Sequence, residues 1–220
     1  MIGVRFALHP MRDDFVPLIL DAVRELPELG VEVETDDVST CLLGEEPTLW
    51  EALRVAFGRG ARSGSHVVLN ATFSVGCPGE PEGDVCVPRA YEGPLGGEEG
   101  WSREAYGLGP VSVQFALYPL GAPDYMDAIY GEIERARQAG VRVVARHFCT
   151  HLYGSGDDVF ATLRQAFKEA QGRAAHVVMT VAASANSPSL RAAGAKARWP
   201  RHTSRRCKHE RPARGTTRGG

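Results

Sequence analysis

Val4-Arg5-Phe6-Ala7-Leu8-His9-Pro10-Met11 returns later in the chain as Val113-Gln114-Phe115-Ala116-Leu117-Tyr118-Pro119-Leu120. Five of the eight residues are identical at an offset of 109. One residue is then gained, and an offset of 110 holds afterwards. Asp14-Phe15 returns as Asp124-Tyr125, and Thr40, Leu42 and Gly44 return as Thr150, Leu152 and Gly154. Trp50, Leu53, Arg54, Ala56 and Phe57 return as Phe160, Leu163, Arg164, Ala166 and Phe167. His66-Val67-Val68 returns as His176-Val177-Val178. Self-similarity at so long a period marks a duplicated domain, not a solenoid of short repeats.

Each copy reads as strand, helix, strand, strand, helix, strand. Residues 3–9 alternate and are β-prone. Asp13 or Asp14 can cap a helix whose inner face is Phe15, Leu18, Ile19, Ala22, Val23 and Leu26. Gly30 stops it. Residues 31–36 alternate as a half-exposed strand, and 38–43 form a third, ended by Gly44. Pro47 or Thr48 opens a second helix with Trp50, Leu53, Ala56 and Phe57 inward; Asp157 or Asp158 caps its counterpart. His66 to Phe73 form the fourth strand. This βαββαβ order is the ferredoxin-like arrangement. The expected fold is α+β, with two tandem ferredoxin-like repeats whose antiparallel sheets pack face to face, within the chain, between chains, or both. The expected boundaries are a first repeat over 1–79, a Gly/Pro-rich linker over 80–111, a second repeat over 112–189 and a basic, disordered tail over 190–220.

Composition narrows the function classes. With 43% hydrophobic residues the chain can bury a real core. No apolar run reaches the roughly 18 residues that span a bilayer, and the N-terminus has no basic lead of a signal peptide. A cytoplasmic protein without membrane insertion is expected. Its five cysteines, an odd number without a CxxC pair, fit a reducing compartment. The net charge of -2 hides an asymmetry. Residues 190–220 carry ten Lys/Arg against one acid, and residues 1–189 carry 15 basic against 26 acidic residues. An acidic body repels polyanions, so nucleic acid is not an expected partner.

No nucleophile elbow, P-loop or dinucleotide fingerprint is present, so neither catalysis nor a cofactor is expected. His147, Cys149 and His151 alternate as if on one strand face, which leaves a metal-binding module as an alternative. An enzyme using Cys41 or His147 as base or nucleophile is another. His66 and His176 open equivalent strands and suit a structural hydrogen bond. Polar residues set in apolar strands are more informative. Thr40 and Thr150 recur at one place. Asn70 and Thr72 have Thr180 and Ala182 as partners, and Ser74 is followed by Ser184. Such groups are costly to bury without hydrogen bonds and can read a heteroaromatic ring. Phe6, Phe115, Tyr118 and Phe148 could sandwich it, and Asp36 and Asp37 could attract a cationic part.

These segments resemble the YkoF family. The resemblance rests on residues 6–15, on Thr35-Asp36-Asp37-Val38-Ser39-Thr40, on Asn70 to Gly79, on Gln114 to Pro119, on Pro123 to Met126 and on Ser184 to Ser189. It runs from about residue 4 to 189, and the tail is outside it. The resemblance implies two ferredoxin-like repeats that bind thiamine or its hydroxymethylpyrimidine moiety, a homodimer, and a link to precursor salvage or uptake alongside a transporter. It also implies one pocket per repeat, and an enzyme of thiamine or pyrimidine metabolism is the alternative it leaves. The expected ligand-binding residues are Asp36, Asp37, Ser39, Thr40, Asn70, Thr72, Ser74, His147, Thr150, Thr180, Ser184, Phe6 and Phe115. His147, Cys149 and Thr180 replace Asp37, Ser39 and Asn70 in the second repeat, so the two pockets are expected to differ in affinity.

Overall fold

Alternation decides the first strand. Strand β1 (Ile2–Pro10) buries Val4, Phe6 and Leu8 and turns Arg5 and His9 outward. A computed structural model of the chain describes residues 2–77, 108–121 and 140–189. After β1 come α1 (Phe15–Arg24), a short 3-10 turn (Leu26–Leu29), β2 (Glu32–Thr35), β3 (Thr40–Leu43), α2 (Glu46–Arg62) and β4 (Val67–Val75). The second set is β5 (Pro110–Leu120), β6 (Arg142–Arg146), β7 (Cys149–Ser155), α3 (Gly156–Gln171) and β8 (His176–Ala185). The expected counterpart of α1 at Asp124-Tyr125, most of the linker and the basic tail lie outside the described residues.

The strand registers carry the duplication. Val4 pairs with Leu42 and Phe73; its counterpart Val113 pairs with Leu152 and Ala183. Each partner is displaced by the same 110 residues read from the sequence. In each repeat the third strand slots between the first and second, so the order is β2-β3-β1-β4 in one half and β6-β7-β5-β8 in the other. All pairings are antiparallel. These are the two ferredoxin-like repeats expected.

Their relation differs from the expected one. Within the chain the sheets do not stack face to face. They join edge to edge through β4 and β8 into one sheet of eight strands. The physical reason is that β4 and β8 are each the outer strand of their own repeat. An outer strand offers a row of unpaired N–H and C=O groups, and each fills the other's row from Val67 opposite Ala185 to Val75 opposite Val177. Ala71 and Val181 are equivalent positions and lie directly opposite each other, so a local two-fold axis passes between them.

Helices α2 and α3 cover one face of this sheet. Trp50 stacks on Phe73 with ring centroids 3.9 Å apart, and Phe73 meets Phe167 at 5.6 Å. Phe57 and Phe160 lie 6.0 Å apart. Aromatic rings from both repeats thus share one core, and all five are fully buried. Arg54 is also fully buried. Its guanidinium donates to Glu51 at 2.6 Å and to Asp157 at 3.3 Å, which ties α2 to the start of α3 across the repeat boundary.

Local details correct the sequence reading. Phe15 is 45% exposed, because it is the first helical residue and points off the sheet. Asp14 occupies the cap position of α1 without a side-chain cap bond; its carboxylate pairs with Arg12 instead. Ser155, not Asp157 or Asp158, caps α3 by accepting from the Asp158 amide. Helix α2 starts at Glu46, with Pro47 in the first turn, where a missing N–H costs nothing. Both fourth strands end on a left-handed residue, Gly76 (φ 73°) and Asn186 (φ 56°). At Gly76 a Cβ would sit 1.7 Å from the Ala175 carbonyl oxygen, so only glycine fits.

Replacing Arg54 by Ala leaves two partly buried carboxylates facing each other without their cation. The R54A chain should lose about 3 kcal/mol of stability. Urea unfolding should show a lower midpoint with an unchanged slope.

Candidate functional site

Paired residues on neighbouring strands share a sheet face, and this rule sorts the polar candidates. Thr40 lies opposite Phe6, which is buried under the helices. Asn70 lies opposite Ala7, on the face that no described helix covers. The expected site residues therefore fall on two opposite faces and do not form one pocket.

On the helix side, a cavity of about 280 Å³ opens between α1 and the β2–β3 hairpin. Its apolar walls include Phe6 and Leu8 from β1 and Ile19 and Val23 from α1. The hairpin supplies the polar part. Thr40 is 6% exposed, and its hydroxyl lies 3.1 Å from that of Thr35. The rim holds Asp36, Asp37 and Ser39. Asp36 shapes the turn: one carboxylate oxygen accepts from the Val38 and Ser39 amides at 2.8 and 2.7 Å, and the other accepts from Arg5 at 2.9 Å. Those two amide bonds, helped by Arg5, hold the Asp36 carboxyl below the usual carboxylate range. A fixed negative charge therefore stands at the mouth. Pockets for drug-sized ligands run from roughly 300 to 1,000 Å³, so this one suits a small flat ring.

The opposite face carries a shallow trough of about 570 Å³ over the local two-fold axis. Its lining comes in equivalent pairs: Asn70 with Thr180, Thr72 with Ala182, Ser39 with Cys149 and Val38 with Phe148. Backbone parts of Phe6 and Phe115 also border it, since both side chains are buried on the helix side. Ser74, His147, Thr150 and Ser184 line neither hollow. Ser184 accepts or donates a hydrogen bond with His66 Nε2 at 2.9 Å, the structural bond expected at the strand entrance. Thr150, opposite Phe115, is the counterpart of Thr40.

The residues missed by sequence reasoning include Thr35, Leu8, Ile19 and Val23 in the cavity and Arg5 and Gln114 in the trough, whereas Tyr118 and Phe148, expected to flank a ring, do line the trough. A signal existed for Ile19 and Val23, since both lie on the inner helical face; it reads equally well as core. Nothing in the sequence marks Thr35 as the partner of Thr40 until the hairpin register is known.

The alternation of His147, Cys149 and His151 fails at its first member. His147 lies in the turn before β7, and the strand begins at Cys149. His151 has both nitrogens engaged, Nε2 with Ser112 Oγ at 2.6 Å and Nδ1 with Tyr153 OH at 2.9 Å. Among the described residues no three His, Cys, Asp or Glu side chains gather closely enough to hold a metal ion. Cys41 pairs with Arg5 and so faces away from the Thr40 cavity. Burial pushes its thiol up, which opposes a nucleophilic thiolate.

Burial, together with Arg146 and Arg142, pushes His151 down to about 4. The unfolded chain then binds a proton between pH ~6.5 and ~4 that the folded chain refuses. Stability should therefore fall as pH drops through that window. A His151→Gln chain should lose part of this slope, and the His151 imidazole should stay neutral at pH 6 by NMR titration.

With this geometry in view, the similarities to known proteins become informative. The family model described as "YKOF-related Family" matches residues 1–80 and 110–190. A Bacillus subtilis (strain 168) protein named "Putative HMP/thiamine-binding protein YkoF" is 38% identical over 189 residues, covering 85% of this chain and 91% of that one. Among solved structures, a Streptococcus pneumoniae protein matches 34% of this chain and 83% of its own at 24% identity, with a TM-score of 0.29. A Methanocaldococcus jannascii protein matches 39% and 94% at 18% identity, with a TM-score of 0.33.

Proposed function

The chain belongs to the YKOF-related family, and from that premise we propose that it binds thiamine or its hydroxymethylpyrimidine moiety without transforming it. The observation that carries this reading is the cavity beside Thr40: two hydroxyls 3.1 Å apart over an apolar floor, with Asp36 and Asp37 at its rim. The Thr35 and Thr40 hydroxyls can each donate and accept, which matches an aminopyrimidine edge carrying an amine and a ring nitrogen. Phe6, Leu8, Ile19 and Val23 hold the ring. The aspartates favour a cationic thiazolium over a phosphorylated ligand.

No covalent step is part of the proposal. The cysteine nearest in sequence, Cys41, points to the other sheet face, and its thiol is held protonated. The duplication supports a second site beside Thr150, the counterpart of Thr40. Its hairpin offers His147 and Cys149 where the first offers Asp37 and Ser39, so the two sites bind with unequal affinity. The same reading includes a cytoplasmic homodimer and a role in salvage or uptake of the ligand beside a transporter.

Isothermal titration with thiamine and with hydroxymethylpyrimidine tests it. Two unequal sites per chain are expected, with thiamine phosphate binding more weakly than thiamine. Thr40→Val deletes one hydroxyl and should cost about 1–3 kcal/mol at the first site, a weakening of roughly 5- to 150-fold. Absence of binding by either compound would overturn the assignment. Unaltered affinity in the Thr40→Val chain would remove Thr40 from the site.

A further inference from the structure

The two edge hairpins have kept their register and exchanged their charge. In β2–β3, residues 32–43 carry Glu32, Glu34, Asp36 and Asp37 and no Lys or Arg. In β6–β7, the equivalent residues 142–153 carry Arg142 and Arg146 and no Asp or Glu. At the offset of 110, Arg142 replaces Glu32, Val144 replaces Glu34, Arg146 replaces Asp36 and His147 replaces Asp37. The ladder is the same in both hairpins: Thr35 lies opposite Thr40, and Ala145 lies opposite Thr150.

Asp36 stands where the charge of a ligand is felt. Its amide donates to the Ser39 carbonyl at 3.0 Å as the hairpin turns, and the residue lines the mouth of the Thr40 cavity. Arg146 pairs with Cys149, the counterpart of Ser39, and so holds the same place in the hairpin that carries Thr150. Arg5 balances Asp36 at 2.9 Å. The counterpart of Arg5 is the uncharged Gln114, and among the described residues no carboxylate forms an ion pair with Arg146. Arg146 and His147 are both exposed. The apolar floor is retained, since Phe115 and Leu117 are buried as Phe6 and Leu8 are. Ala145 in place of Thr35 removes one hydroxyl that could read a ring edge. A guanidinium offers charge and several N–H donors to an anionic group instead.

We propose that the second repeat takes an anionic form of the ligand, an aminopyrimidine carrying a phosphate monoester, with Arg146 holding the phosphate, while the first repeat takes the uncharged or cationic form. A phosphate monoester carries close to two negative charges at neutral pH. Asp36 and Asp37 repel it at the first site and Arg146 attracts it at the second, so one substituent sorts the ligand between two sites with the same floor. The inference rests on the reading of the chain as a binder of thiamine or hydroxymethylpyrimidine, and it names the charge class that each repeat of that binder accepts.

Isothermal titration of the full chain with hydroxymethylpyrimidine and with its phosphate ester tests it. The Thr40→Val chain reports the second site, and the Thr150→Val chain reports the first. In the Thr40→Val chain the phosphate ester should bind about tenfold or more tightly than the free alcohol. In the Thr150→Val chain it should bind about tenfold or more weakly. Placed in the Thr40→Val chain, Arg146→Gln should remove most of the preference for phosphate, and Arg146→Asp with His147→Asp should reverse it. Continued binding of hydroxymethylpyrimidine checks that these exposed changes leave the hairpin folded. Added salt should shrink the differences. A wild-type chain that binds neither compound nor thiamine overturns the reading of the function and this inference with it. Binding with the same preference against phosphate at both sites overturns the inference alone. So does a preference for phosphate that survives Arg146→Gln.

Discussion

The pairing of β4 with β8 is the constraint on which the rest of the molecule depends. Each strand is the outer strand of a four-stranded unit, and each would otherwise present a long row of unsatisfied backbone groups. Their antiparallel union places Ala71 opposite Val181 and creates the local two-fold axis. It also places α2 and α3 side by side on one sheet face. Only then can Trp50 and Phe73 of the first repeat pack against Phe167 of the second. The buried Arg54, held by Glu51 and Asp157, follows from the same juxtaposition. The two repeats are separate in sequence but share one core.

This union divides the surface into two kinds of chemistry. On the helix side, α1 rests over β1 and leaves a hollow where the β2–β3 hairpin closes the end. The buried Phe6 and Leu8 and the partly buried Ile19 and Val23 around that hollow lower the local dielectric, which strengthens the hydrogen bonds that Thr35 and Thr40 offer. On the other side no described helix covers the sheet, and its residues include small apolar and polar groups. That face carries opposite charges at its two ends.

Much of the fold was legible in the sequence. The offset of 109 at β1 and 110 at β4 reappears residue for residue in the strand registers. The inner residues Trp50, Leu53, Ala56 and Phe57 are fully buried, as helical spacing requires. The site was legible only in part. Thr40 and Asn70 both read as polar residues in apolar strands, yet one faces the helices and the other the bare sheet. Strand alternation gives the relative face of two residues on one strand; across strands the register is needed, and a shift of one residue reverses the answer. His147 read as part of β7 for a related reason: alternation does not show where a strand stops and its turn begins.

The sequence by itself determined the duplication, the order of elements in each repeat, the helical core positions and the family, because these follow from local periodicity and from similarity along the chain. The tertiary structure alone decided that the repeats join edge to edge and which candidate residues share a cavity. It also decided that an acidic and a basic end lie on the same face. Those outcomes turn on backbone hydrogen bonds between strands more than 100 residues apart, and such bonds use N–H and C=O groups that are the same at nearly every position.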